Sequence, residues 1–304
     1  MKNIFFQNNF EKSQEVLILD KSDGDVANFG KQWRDHVDVQ IDSKNNFNIS
    51  KNYLKDLLFG DLEILRNKDV LEIGSGAGRF TEHICKYANN CVSVDLSSAI
   101  FYNVASKEKN LIRIKADFSK LLPQKKFDIV ICRGVLQHTP NPKESILRLF
   151  SFVSKEEGIV FFDIYPRPKI GFLHPKYLFW RPFFKTLISY EVCENFLKKN
   201  ITLILKVKRN IKKIFFNSDF LSDCLIPVWD YYGKEENRFE LIDLNKEQLE
   251  SWTVLDTLDG LYAKYDYPMS NKEVSLLLSN HSITIQETDK VRNFFKASLR
   301  NKKK

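Results

Sequence analysis

The 304 residues predict an α/β protein: an open sheet of mostly parallel strands, an antiparallel C-terminal hairpin, an N-terminal helical lid and an inserted cap. Three observations carry that expectation. Short β-rich runs alternate with helical stretches from Lys68 onward, as βαβ units do. Runs such as "IVIC" and "IVFF" are apolar on both faces, as strands covered by helices on both sides must be. The alternation then stops at a segment rich in proline and aromatic residues, and two strand-like runs close the chain.

Residues 1–67 are polar, with apolar clusters such as "YLKDLLFGDLEIL", and read as helix and loop. Five strands follow in about 100 residues. "DVLEIG" leads into "GRFTEHICKYA", "CVSVDL" into "SSAIFYNVASKEK", and "LIRIKADF" stands third. "FDIVICRG" leads into "PKESILRLFSFVSK", and "GIVFFDIY" is the fifth. Residues 165–268 hold most of the prolines and many aromatics, as in "YPRPKIGFLHPKYLFWRPFF". A helix-like "SNKEVSLLLSN" and the hairpin "SITIQET" and "RNFFKASLR" complete the sheet. The expected organisation is a lid at 1–67, a core at 68–164, a substrate cap at 165–268, and a helix with hairpin at 269–304.

A 43% apolar and 28% charged chain of this length has ample core. No run of about 18 apolar residues occurs, and "MKNIFFQNNFEKSQ" does not read as a secretory signal. Cys85, Cys91, Cys132, Cys193 and Cys224 form no C-x-x-C pair, which points to reduced thiols in a cytoplasm and to no metal site. The net charge of +8 permits a nucleic-acid or anionic-membrane partner, but lysine-rich usage and the tail "RNKKK" raise it without any binding site.

The stretch "VLEIGSGAGRF" decides the ligand. A P-loop needs lysine and Ser/Thr after its glycines, which are absent. The dinucleotide fingerprint needs glycine at position 79, where Arg79 stands. Gly74, Gly76 and Gly78 are instead spaced G-x-G-x-G, with Glu72 two residues before the first. Such a loop lets the backbone approach a ligand closely, and the next helix offers free N–H groups. Asp95 ends the second strand, where a carboxylate can take two ribose hydroxyls. Asp117 ends the third, placed for an adenine amino group, with Phe118 available to stack. Each acid also has a plain alternative as a cap, a pair or a turn residue.

Taken together, "VLEIGSGAGRF", "SVDLS", "KADF" and "FDIVICRGVLQHTPNP" resemble the ordered motifs of class I S-adenosylmethionine-dependent methyltransferases, a Rossmann-like family, over residues 69–164. The resemblance implies that Glu72, Gly74, Gly76 and Gly78 hold the methionine and ribose portions. It implies that Asp95, with Leu96 beside it, binds the ribose, Asp117 and Phe118 the adenine, and Cys132 to Gly134 the methionine end. "FGKQW", "DIYPR" and "DTLDGLYAKYDYP" resemble a bacterial subgroup often associated with surface-polysaccharide and natural-product gene clusters.

Methyl transfer needs an acceptor held in line with the methyl, water excluded and, for oxygen, a proton removed. His138, in "GVLQHTP", has the pKa range of a general base, though it could simply bond backbone. Asp163 and Tyr165 end the fifth strand at the same crevice and are expected to meet the acceptor. Asp266 could bind a sugar hydroxyl, and Gln32 with Trp33 could close over the cofactor; otherwise Trp33 is core. No [DN]-P-P-[YFW] tetrad is present, which argues against DNA adenine methylation.

In residues 191–216, Leu197, Ile201, Ile204, Ile211 and Phe215 fall within about 80° on a helical wheel, opposite Lys199, Lys206, Arg209 and Lys213. Lys208 interrupts the apolar side. This reads as a cap helix docked on its own core, with peripheral membrane contact as the alternative. The expected activity is S-adenosylmethionine-dependent methylation of a hydroxyl or amine on a small molecule or glycan. RNA methylation, transfer of another group from the sulfonium and a non-catalytic S-adenosylmethionine-binding subunit are the alternatives. Nucleic acid is not the expected partner, and the oligomeric state is left open.

Overall fold

A computed structural model describes residues 4–35, 40–168, 170–231 and 244–300, apart from the side chains of Phe29 and of residues 33–35. Two compact units emerge: residues 1–167 together with 264–304, and residues 168–263.

The first unit is built on five parallel strands, β3 (Asp69–Ile73), β4 (Asn90–Asp95), β5 (Leu111–Lys115), β6 (Ile129–Cys132) and β7 (Ile159–Asp163). Two further strands, β8 (Ile283–Asp289) and β9 (Phe294–Leu299), form the closing hairpin, with β9 antiparallel to β7. Successive side chains point to opposite faces. Accordingly Leu71, Ile73, Val92, Val94, Val130 and Val160 join one buried cluster, while Val70, Cys91, Ile129, Ile131 and Phe161 join another. Helix α3 (Ile49–Leu57) and the short α4 (Thr81–Ile84) cover the second face through Leu54, Leu57 and Ile84. Helices α5 (Pro142–Leu149) and α10 (Asn271–Asn280) cover the first through Ile146, Leu149, Val274 and Leu278. Each such aliphatic side chain contributes about 1.5–3 kcal/mol by leaving water.

The parallel strands are ordered β5-β4-β3-β6-β7, with β9 and then β8 beyond β7, so the progression of strands across the sheet switches sides between the parallel pair β3 and β6. Ligands of open α/β sheets sit outside the carboxyl ends of the strands at that point. Strands β1 (Glu11–Ser13) and β2 (Val16–Ile18) differ from the expected helix and loop over 1–67. They turn through Gln14 and Glu15, both at positive φ, and β2 pairs in parallel with β5. Such turns normally carry Asn-Gly or Asp-Gly, so this one leaves no signal in the sequence. Helices α1 (Ala27–Asp35) and α2 (Asp42–Asn45) complete the N-terminal part.

Residues 165–167 and 264–268, read from sequence as part of the cap, lie in the first unit. The Met269 N–H donates to the Tyr165 carbonyl and the Tyr267 N–H to that of Gln137, stitching the returning chain to the strand ends.

The second unit is helical: α6 (Arg181–Leu187), α7 (Tyr190–Ile214), α8 (Asp219–Leu225) and α9 (Lys246–Tyr262). Tyr190, Cys193, Leu197, Ile201 and Leu205 of α7 pack with Val254, Leu258 and Leu261 of α9. Buried Arg181 donates to the Gly260 and Ala263 carbonyls at the α9 C-terminus, where a cation also answers the helix dipole. The buried face of α7 departs from the expected one. Lys208 lies inside it, paired with Asp223 and donating to the Val228 carbonyl, while Phe215 falls beyond the helix end and is exposed.

Candidate active site

The site grows from the end of β3. Glu72 is 2% exposed. Thr81 Oγ1 donates to its Oε2 at 2.5 Å and Ser93 Oγ at 2.8 Å, while Oε1 has no hydrogen-bond partner among the described residues. Burial pushes this carboxyl up to about 7; the two hydroxyls oppose the rise and the charge of Asp95 adds to it.

The glycine loop that follows is tight for definite reasons. At Gly74, φ is +80° and a Cβ would lie 2.0 Å from Val135 Cγ2, so the β3 and β6 loops touch where only glycine fits. At Gly78, φ is +93° and a Cβ would meet Asn103 Oδ1 at 2.3 Å. Asn103 in turn donates to Thr81 Oγ1 and accepts from the Ala105 N–H, so loop, Glu72 and the segment after β4 form one hydrogen-bonded unit. Thr81, Ser93 and Asn103 were not singled out from sequence. A lone serine inside the apolar run "CVSVD" was the one available sign.

At the end of β4, Asp95 Oδ2 accepts from the Gly76 N–H at 2.7 Å, and Oδ1 accepts from Ser97 N–H and Oγ. Three of about four acceptor positions of a carboxylate are thus taken by the loops themselves. Burial holds Asp95 above the usual carboxylate range, and the Asp23 carboxylate adds to this. Leu96 is half-buried, with its side chain near Gly24. At the end of β5, Asp117 caps the turn at 118–120 by accepting from the Ser119 N–H, and Phe118 is buried in the main core.

The N-terminal segment reaches these strand ends. Asp20 accepts from the Asp117 N–H, and Asp23 accepts from Ser98 N–H and Oγ. Buried Lys115 pairs with Asp23 and donates to the carbonyls of residues 20–22. Gln32 is buried on α1, and the Trp33 side chain lies outside the described residues.

On the far side of the switch point, Cys132 is buried at the end of β6 and Gly134, at φ +70°, has open space where a Cβ would stand. Asp163 Oδ1 accepts from the Gly134 N–H at 2.6 Å, tying β7 to the β6 loop. Burial raises the Asp163 carboxyl, with the Arg133 guanidinium opposing. Arg133 stacks over Tyr53 at 4.5 Å and Phe294 at 5.0 Å. His138 Nδ1 lies 2.9 Å from the Tyr265 carbonyl, which only accepts, so this nitrogen carries the proton. Its ring meets that of Tyr165 edge-on, centroids 5.6 Å apart. Tyr165 is 41% exposed and Asp266 buried. Tyr265 and Lys264 both bond Asp25, which draws the returning chain to the N-terminal segment.

Asp42, Glu82 and His83 form a group of metal-ligand type. The Asp42 carboxylate is already occupied by the N–H groups of Ser50 and Lys51 and by His83 Nε2, and it caps α3.

Known proteins agree with the motif series. Residues 71–162 match a family model described as "Methyltransferase domain". The chain is 26% identical over 164 residues to a ubiquinone biosynthesis O-methyltransferase of Rickettsia bellii, covering 48% of this chain and 68% of that protein. It is 34% identical over 102 residues to a malonyl-[acyl-carrier protein] O-methyltransferase of Ilyobacter polytropus, covering 32% of this chain and 39% of that one. Among solved structures, magnesium protoporphyrin IX methyltransferase from Synechocystis, with bound SAH, is similar at a TM-score of 0.47 and 14% identity, covering 91% of this chain and 96% of that one.

The residues fit S-adenosylmethionine. A buried carboxylate oxygen without a partner, a glycine loop and the open space at Gly134 suit a compact cationic end group. With the match spanning β3 to β7, residues 71–162 form a methyltransferase domain, and the protein is an S-adenosylmethionine-dependent methyltransferase with S-adenosylmethionine as its methyl donor.

Proposed function

We propose that the protein methylates a hydroxyl or amine of a small molecule or glycan. The observation that carries this reading is His138. Its Nδ1 proton is engaged by the Tyr265 carbonyl, so the neutral ring carries its lone pair on Nε2, the nitrogen able to take a proton from an acceptor. When bound, S-adenosylmethionine supplies a methyl group on a positively charged sulfur. Glu72 would hold the cationic methionine end through Oε1, Asp95 and Leu96 the ribose, and Asp117 the adenine edge. Phe118 would flank the adenine from the core. Cys132 and Gly134 would border the methionine end.

In this reading Tyr165 and Asp266 meet the acceptor, and Asp163 is a positioning residue that fixes the β6 loop through Gly134. Residues 1–67 act as lid, on the support of the Asp23 and Asp25 contacts, and residues 168–263 act as substrate cap. Two relatives are named O-methyltransferases, which favours an oxygen acceptor. Five unpaired cysteines favour the cytoplasm.

The test uses S-adenosylmethionine labelled in its methyl group, purified protein and extract of a strain lacking the gene. The extract is split into lipid, glycan, small-molecule, RNA and protein fractions, and Asp95→Ala serves as blank. Label in the glycan or small-molecule fraction supports the proposal; label in RNA or protein overturns it. Absence of label with S-adenosylhomocysteine binding intact points to a non-catalytic subunit. Once the acceptor is in hand, His138→Gln is expected to lower kcat about a hundredfold without changing S-adenosylhomocysteine affinity.

A further inference from the structure

Helix α7 has a second apolar side, and it faces outward. Val192, Phe196, Leu203, Val207 and Ile214 are all exposed and fall within about 60° of arc at 100° per residue. They lie apart from the buried row of Tyr190, Cys193, Leu197, Ile201 and Leu205. Alongside the exposed stripe run Lys199, Lys206 and Lys213, exposed and spaced seven residues apart. Among the described residues no carboxylate pairs with these three. The helix's other basic groups are engaged: Lys198 with Glu194, Lys208 with Asp223, Arg209 with Asp230 and Lys212 with Asp219. Beyond the helix end, Phe216 is 97% exposed.

We propose that this face of α7 docks on an anionic lipid surface, the apolar stripe entering the headgroup boundary and the lysine row meeting lipid phosphates. A long helix whose outward side carries an apolar stripe with a flanking basic row has the form of an element that lies in the interface plane. It does not span the bilayer, since among the described residues no helix is long and apolar enough to cross a membrane. Charge selects lipid over a second copy of the chain. Residues 168–218 carry eleven lysines and arginines against two glutamates, Glu191 and Glu194, and Glu194 is buried. Two such faces brought together would oppose six lysines with only Glu191 and Glu250, the latter bonded to Thr202, beside each row. The inference holds whichever molecule accepts the methyl group.

Flotation of the full chain with vesicles tests it. Wild-type protein is expected to float with equimolar phosphatidylglycerol–phosphatidylcholine vesicles, weakly with phosphatidylcholine alone, and to be released by high salt. Each lysine contributes about fivefold in affinity, so Lys199→Gln, Lys206→Gln and Lys213→Gln together should weaken binding roughly a hundredfold. The pair Leu203→Asp and Val207→Asp should abolish flotation while leaving the urea unfolding curve and S-adenosylhomocysteine binding unchanged. Failure of wild type to float, or flotation undiminished in either variant, overturns the proposal. So does conversion of a dimer to a monomer by the aspartate pair, which would assign the face to a second copy.

Discussion

The end of β3 and the helix α7 handle the same problem in opposite ways. Around Glu72 the sheet hides polar groups: a carboxylate, two hydroxyls and Asn103 are buried together and bonded to one another. In α7 the inside holds a lysine and the outside holds five large apolar side chains. A buried polar group is tolerated where its partners are fixed. Exposed apolar groups on one stripe call for a surface to cover them. In the readings proposed above, the first region serves a small cationic ligand and the second an extended partner.

The largest expected effect sharpens the first region. Gly74→Ala places a Cβ against Val135 at a positive φ, and should cost about 3 kcal/mol in urea unfolding through backbone strain and overpacking combined. Adding Val135→Ala should return part of that loss, because it removes the clash and leaves the φ penalty. A double variant no more stable than Gly74→Ala would show that Val135 is not the obstacle.

Leu205→Ala against Leu203→Ser contrasts the two sides of α7. The buried leucine should cost about 2–3 kcal/mol and the exposed one under about 0.5 kcal/mol. Equal costs would mean that the outer stripe is covered in solution.

Glu72 gives a pH signature of comparable size. Burial lifts its folded-state pKa from the ordinary value of 4.5 to about 7, so the folded protein holds this proton more tightly than the unfolded chain does. The stability carried by that proton is complete below pH 4.5 and is lost as pH rises toward 7, by about 3 kcal/mol. Glu72→Gln should flatten that slope in unfolding curves taken across the window. If Glu72 holds the ammonium group as proposed, S-adenosylhomocysteine should bind wild type more tightly as pH rises through 7, where the carboxyl ionises, and the glutamine variant should lose this trend.

Asp223→Ala, which leaves Lys208 buried without its carboxylate, should cost about 2 kcal/mol, and Lys208→Met less, because Asp223 is partly exposed. Equal losses would place the stabilisation in packing of the lysine stem.

Much of the first unit was legible in the residues, for a physical reason. A strand buried on both faces is apolar at most positions, and a loop that touches a neighbouring loop at positive φ favours glycine, so "IVIC", "IVFF" and G-x-G-x-G announce themselves. The β1–β2 hairpin was not legible, because Gln14 and Glu15 adopt turn angles that other residues signal better. The α7 pattern was legible only in part. With apolar residues on two sides, a 3.6-residue period selects both, and neither can be named the inner one until α9 is in place.

What the sequence by itself determined, then, is the chain of local necessities: alternating elements, the glycine spacing, the acids at the ends of β3, β4 and β5, and with them the ligand class. Tertiary structure decided which atoms those acids have left to give. Asp95 divides its carboxylate between Gly76 and Ser97, Asp163 turns to Gly134, and Glu72 keeps one oxygen without a partner. The reason is that a side chain's type is local, whereas its hydrogen-bond partners are brought to it by strands and helices distant in sequence, and only folding sets that competition.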